Sequence, residues 1–236
     1  MSDFTQYQTT PYMKLLSPEL AQRLSKSGHR RTLSDGQFVH SRGDQRPGVS
    51  IIEDGAAQAG IYGADGSFIL TSYIGPGHTF GEFTVFTTLP RTHDISAVGT
   101  TTLLEIPAPR FLALCAEDPT YMQALLQTTF MRSHLVLEML HAVRSLPLLP
   151  RVAKYLLILA PGGPSAPILR FRQSDLASTL GLSRASMNRA LAILAEKELI
   201  ERGYGSIKIC NRDRLAQWLN AHSDEAVLGQ AIIGAA

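Results

Sequence analysis

Hydrophobic and polar positions change their period along the chain, and each change marks a new kind of element. Ser17 and Pro18 look like an N-cap and first helical position, so residues 18–24 should form a short amphipathic helix. From 28 to 107 the pattern is β-rich: RRTLSDGQFVHSRGD, GVSIIEDGAAQAGIY, GADGSFILTSYIGPGHTFGEF and HDISAVGTTTLLEIP. Asp35-Gly36, Arg42-Gly43-Asp44, Asp54-Gly55, Asp65-Gly66 and Pro76-Gly77 punctuate these runs as turn signals. A spacing of about eight to twelve residues predicts an antiparallel sandwich or jelly roll.

After Pro107-Ala108-Pro109 the period becomes helical. A short helix is expected over 110–115, and Asp118-Pro119 opens a long one reaching about Leu146. Its apolar residues (Met122, Leu125, Leu126, Phe130, Leu135, Met139, Leu140, Val143) mix spacings of three and four. Such a stripe is wide enough to pack on the β region and on a second copy of itself. The alternative is a helix buried within one subunit. SLPLLP at 145–150 breaks the helix and is the expected hinge. A helix over 151–160, a PGGPSAP loop and a short strand over 168–171 follow.

The stretch QSDLASTLGLSRASMNRALAILAEKELI has the pattern of a helix-turn-helix. The first helix, 173–180, turns Leu176, Ala177 and Leu180 inward, and Gly181 supplies the turn. Ser183 caps a second helix whose Met187, Leu191 and Leu194 face inward. Arg184, Ala185, Ser186, Asn188 and Arg189 occupy its first two turns, the part of a recognition helix that meets base edges. Arg reads guanine and Asn reads adenine through paired hydrogen bonds, while Ser183 and Ser186 suit phosphate oxygens. An ordinary solvated helical hairpin would share this pattern. ERGYGSIKI, however, adds a β-hairpin after a helix ending at Leu199-Ile200, which makes a winged helix. A closing helix is expected over 212–222, then a frayed tail over 223–236.

Charge sharpens this picture. The net value is only +2 over 236 residues. Residues 1–149 carry −2 and residues 215–236 another −2, whereas 150–214 carry +6. The basic excess falls where phosphates would be neutralised, so double-stranded DNA is the expected partner. Cys115 and Cys210 show no metal spacing, and no metal is expected. With 44% hydrophobic residues but no long uncharged apolar run, the chain should lack a membrane span. MSDFTQYQTT has neither the basic start nor the apolar core of a secretory signal, so a cytoplasmic protein is expected.

A second site is suggested at Phe80–Thr92. Gly81 permits close backbone approach, and a helical turn after it would offer amides to an anion. Glu82 can accept from sugar hydroxyls. Arg91 is a planar cation suited to phosphate, and Thr92 adds a hydroxyl. A turn carrying a surface Arg–Glu pair is the alternative. No nucleophile–base set stands out, so an enzyme is not expected.

Taken together, residues 15–215 resemble the cyclic-AMP receptor protein/fumarate–nitrate reductase regulator (CRP/FNR) family of bacterial transcription factors. The resemblance implies an α+β chain with three parts: an antiparallel β-roll sensor over 1–117, a dimerisation helix and hinge over 118–149, and a winged helix-turn-helix over 150–236. It implies a homodimer paired through helix 118–146 on two DNA half-sites, and admits RNA polymerase as a further partner. Gly81-Glu82-Phe83 and Pro90-Arg91-Thr92 resemble the family's phosphate-binding cassette. By that resemblance Glu82 takes a ribose 2′-hydroxyl, while Arg91, Thr92 and amides near Gly81 and Phe83 take a cyclic phosphate, the effector being cyclic AMP or cyclic GMP.

There are departures. Val136-Leu137 stand where cyclic-AMP-binding members place a Thr-Ser pair against adenine, and Ser133 is the nearest substitute. The base can therefore be adenine, guanine or neither, and a constitutive or differently triggered regulator is the alternative. Arg184 and Arg189 match the family's base-reading arginines, but Ala185 replaces the usual Glu and removes an acceptor for cytosine N4. Four histidines (His78, His93, His134, His141) are available to a heme, but none is expected.

Overall fold

The computed structural model describes residues 10–64, 66, 68–160, 168–170 and 173–223. Asp65, the PGGPSAP loop, Phe171 and the tail from residue 224 lie outside them, with the expectations placed there. The chain divides into two compact units, with the boundary between Arg132 and Ser133.

In the first unit, a 3-10 turn (Tyr12–Leu15) leads into α1 (Pro18–Ser25). Ser17 caps α1, its hydroxyl accepting from the Leu20 amide at 3.3 Å, with Pro18 in the first turn as expected. Strands β1 (His29–Leu33), β2 (Phe38–His40), β3 (Gly48–Tyr62), β4 (Phe68–Ile74), β5 (Thr79–Phe80) and β6 (Asp94–Pro107) make one antiparallel sheet, with short α2 (Phe83–Phe86) inserted before β6.

The long strands β3 and β6 organise this sheet. They pair from Gly48↔Pro107 to Gly60↔Asp94. Toward one end they are flanked by β5 and β1, toward the other by β4 and β2. Asp54-Gly55, expected as a turn, instead lies inside β3. Register shifts bracket Asp54, Gly55 has φ +78, and a Cβ there would approach Thr101 Cα to 2.8 Å. Thr101 Oγ1 donates to the Ala56 carbonyl at 2.7 Å. A bulge held this way bends a strand without ending it, so one strand serves both ends of the roll.

Alternation along the strands separates two cores. Leu33, Val39, Ile52, Ala57, Phe80, Ile95 and Leu103 form one cluster. Val49, Ile51, Leu104 and Ile106 face the opposite way and pack with Tyr12, Leu24, Phe111 and Tyr121. The helices over this second core are α1, α3 (Ala108–Glu117) and the start of α4 (Thr120–Ser145). Helix α3 is longer at both ends than its apolar pattern indicated. Two buried phenol hydrogen bonds tie the layer together, Tyr12 to the Tyr121 carbonyl at 3.1 Å and Tyr121 to the Leu20 carbonyl at 3.0 Å.

Helix α4 leaves several large apolar side chains in water. Leu126, Phe130, Val136, Leu137 and Leu140 are 46%, 67%, 64%, 63% and 53% exposed. Leu126, Phe130, Leu137 and Leu140 recur at steps of four, seven and three, the spacing of a single coiled-coil seam.

In the second unit, α4 ends at Ser145 and α5 (Leu148–Leu159) begins after Pro147, which places the expected break. Helix α5 is buried along most of its length and packs on α7 (Arg184–Glu196) and α8 (Arg212–His222). Helix α6 (Gln173–Thr179) precedes α7. Strands β7 (Ile168–Arg170), β8 (Ile200–Gly203) and β9 (Ser206–Ile209) form an antiparallel sheet in the order β7-β9-β8. Helix α7 stops at Glu196, short of the expected Leu199-Ile200. Glu198 takes φ +56 and turns the chain, so buried Leu199 and Ile200 enter the hairpin.

Candidate functional site

The cassette sits where β5 runs into α2. Gly81 has φ +92, and a Cβ on it would overlap Arg91 Nη1 and lie 2.8 Å from the Gly48 carbonyl oxygen. Only glycine lets the Arg91 guanidinium approach this turn. The loop between β2 and β3 holds Arg91 in place. The Arg91 amide donates to the Asp44 carbonyl at 2.9 Å, the Gly43 amide donates to the Arg91 carbonyl at 2.9 Å, and Arg91 Nη2 donates to the Arg46 carbonyl at 3.1 Å. Arg91 Nε and Nη1 are buried and find no hydrogen-bond partner among the described residues. Burial pushes the Arg91 pKa down, opposed mainly by Asp44. Buried donors on a cation are costly to leave unpaired, and an oxyanion matches them in charge and planar geometry.

Glu82 supplies the complementary half. Its Oε1 accepts from Arg132 Nη1 at 2.5 Å, and Arg132 Nη2 donates to the Thr79 carbonyl at 2.5 Å. Glu82 Oε2 and Thr79 Oγ1 are buried without a partner among the described residues. The site therefore offers two unfilled donors on a cation, and an unfilled acceptor and a hydroxyl near a carboxylate. An anion bearing hydroxyl groups fits that set. Arg132 escaped sequence reasoning, since fifty residues separate it from Glu82 and nothing in the helical stripe singles it out.

Two nearby groups are uncharged or fixed. His40 is buried with its ring 5.6 Å from that of Phe80, and burial, reinforced by Arg91, pushes its pKa down to about 3. Hydrogen bonds from Arg46 hold Asp44 at about 2. Arg91 is thus the cation that carries the unfilled donors, while His40 is neutral.

The remaining expected residues lie further out. Phe83 is 51% exposed, and Thr92 is exposed with its hydroxyl 2.8 Å from His93 Nδ1. The structure joins Gly81, Glu82 and Arg91 directly, but it does not bring the Thr92 hydroxyl onto Arg91's free donors. Ser133 is exposed on α4 and belongs to the second unit.

On the second unit, Ser183 caps α7 by accepting from the Ser186 amide at 3.1 Å, and its hydroxyl is 3.0 Å from that of Ser186. Arg184, Ala185, Asn188 and Arg189 are exposed, and Ser186 is half-buried. Met187, Ala190, Leu191 and Leu194 are buried at 1% exposure or less and clamp the opposite face. The helix thus presents two arginines and an asparagine outward from a rigid support. At the hairpin tip Tyr204 is fully exposed, and Lys208 on β9 pairs with Glu201 on β8 at 3.0 Å. Among the described residues no group of His, Cys, Asp or Glu can hold a metal, and no helix is long and apolar enough to cross a membrane.

A β-roll whose turn leaves buried arginine donors unfilled, followed along the chain by a long helix and a winged helix-turn-helix, is the layout of a DNA-binding regulator with a sensor domain. A family model for a cyclic nucleotide-binding domain matches residues 30–118, and one for a Crp-like helix-turn-helix domain matches residues 150–218. The chain belongs to the CRP/FNR family of transcription regulators and is not an enzyme. It is 27% identical over 188 residues to a CRP-like cAMP-activated global transcriptional regulator of Mycobacterium tuberculosis, covering 77% of this chain and 84% of that one. It is 27% identical over 203 residues to the cyclic AMP receptor protein of Thermus thermophilus, covering 85% and 92%. Among solved structures, the c-di-GMP responsive global regulator CLP of Xanthomonas campestris shares the fold with a TM-score of 0.64 at 20% identity, over 83% of this chain and all of that one.

Proposed function

We propose that this chain is a cytoplasmic, homodimeric, sequence-specific regulator whose DNA affinity is set by a cyclic nucleotide, cyclic AMP or cyclic GMP, held in the β-roll. The main support is that Arg91, packed against Gly81, and Glu82, next to Gly81 in the chain, each keep buried polar atoms unfilled. Arg91 would hold the cyclic phosphate and Glu82 a ribose hydroxyl, with Gly81 and Phe83 contributing backbone and Thr92 a hydroxyl. Two relatives named for cyclic AMP support a cyclic nucleotide as the effector. The exposed seam on α4 supports pairing with a second copy, because apolar side chains at coiled-coil spacing are costly to leave in water. Two copies would present two α7 helices to two DNA half-sites, with Ser183, Arg184, Ala185, Ser186, Asn188 and Arg189 at the interface.

A second reading keeps DNA binding and drops the nucleotide, the chain being constitutive or responding to another effector. It is favoured by Val136 and Leu137, whose side chains offer no hydrogen bond to a base. Calorimetric titration with each nucleotide separates the two. The expected result is saturable binding of one of them at one site per chain. Its affinity should stay flat between pH 6 and 8, because His40 and Asp44 titrate far below that window and Arg91 stays charged across it. No heat from either nucleotide would favour the second reading.

A further inference from the structure

Lys154 is the one fully buried lysine or arginine side chain among the described residues, at 0% exposure. It lies on α5, between Ala153 at 0% and Tyr155 at 2% exposure, with Leu156 and Leu157 at 0%. Its ammonium reaches back across the Leu146-Pro147 break to Glu138 on α4, with Nζ to Oε2 at 2.9 Å and Glu138 29% exposed. Both residues belong to the second unit.

Stability alone does not account for this pair. Drawing an ammonium out of water is expensive, and apolar side chains of similar size usually replace a buried ion pair at no loss. Geometry does account for it. Apolar helix faces slide and rotate over a range of angles, whereas a hydrogen-bonded charge pair works at one separation and one direction. If α5 swung away from the end of α4, the buried Lys154 ammonium would lose its hydrogen bond to Glu138. Arg151, whose Nε and Nη2 donate to the Leu146 carbonyl at 3.2 and 2.9 Å, fastens the same corner one turn earlier.

We propose that Glu138 and Lys154 are a positioning pair for DNA recognition, fixing the angle at which the DNA-reading helices leave the long helix. The proposal rests on the two-half-site reading. In a paired molecule this angle sets the separation of the two α7 helices, which must match successive turns of the duplex. A single half-site makes no such demand.

The test uses the full chain and a duplex selected by it, alongside the same duplex with one half-site scrambled. The main variant combines Glu138→Leu with Lys154→Met. It should stay dimeric in sedimentation, keep or raise its melting temperature, and bind the single half-site as the wild type does. On the intact duplex it should lose at least ten-fold in affinity. A second variant, exchanging the charges as Glu138→Lys with Lys154→Glu, should recover part of that loss. Wild-type affinity for the intact duplex in the apolar variant would overturn the proposal. So would failure of that variant to fold, which would make the pair a stability element. The wild-type measurement tests the underlying reading separately: if the intact duplex bound no tighter than the scrambled one, the paired arrangement itself would fall.

Discussion

Replacing Arg91 by Gln abolishes cyclic-nucleotide binding, weakening it at least 100-fold, while the protein melts no lower than the wild type. Both halves follow from the unfilled donors. Arg91 Nε and Nη1 are buried without partners, so the folded state carries a desolvated cation that its own carbonyls only partly satisfy. Hydrogen bonds to charged groups contribute about 1.5–3 kcal/mol each, so losing two costs roughly 3–6 kcal/mol of binding. At about 1.4 kcal/mol per decade that is a hundred-fold or more. A neutral carboxamide removes the buried charge and eases the folded state, which sets the sign of the stability change. Calorimetry and thermal melting on the same preparation check both; equal affinity in the two proteins would show that the anion binds elsewhere.

Arg184→Ala lowers specific DNA affinity by about thirty-fold or more and flattens discrimination among bases at one position of each half-site. A bidentate arginine–guanine contact discriminates by about 1–3 kcal/mol, and a dimer loses it twice. The fold should be unaffected. Arg184 is exposed in the first turn of α7, and the Ser183 cap that starts the helix depends on Ser186, not on Arg184. Non-specific binding should fall only slightly, as one phosphate-neutralising charge per chain is removed. Competition against single-base variants of the selected duplex reads the effect. Unchanged discrimination would mean that Arg184 touches the backbone only.

Much of this architecture was legible in the residues because the decisive signals are local. Ser17 before Pro18 and Ser183 before Arg184 each place a helix start within one turn, and both side chains cap as their chemistry dictates. The alternation in β3 and β6 likewise sorts residues to two faces. What stayed hidden depends on distant partners. Asp54-Gly55 has the composition of a turn, and only pairing of β3 with β6, with the Thr101 hydroxyl bonded to Ala56, turns it into a bulge. Leu199 and Ile200 continue the apolar pattern of α7, and their burial in the hairpin is a tertiary choice that helical spacing cannot express. In the pocket, Gly81, Glu82 and Arg91 were visible as a motif, but the clamp from Arg132 was not. Lys154 reads as an ordinary polar position of an amphipathic helix, and only its burial beside Glu138 distinguishes it.

If the roll governs how the winged helices meet DNA, a ligand can act only by binding one arrangement more tightly than another. The most direct measurement is an anisotropy titration of the selected duplex at fixed salt, run without ligand and at saturating cyclic AMP or cyclic GMP. One nucleotide should shift the midpoint at least ten-fold. Superimposable isotherms under all three conditions would contradict it.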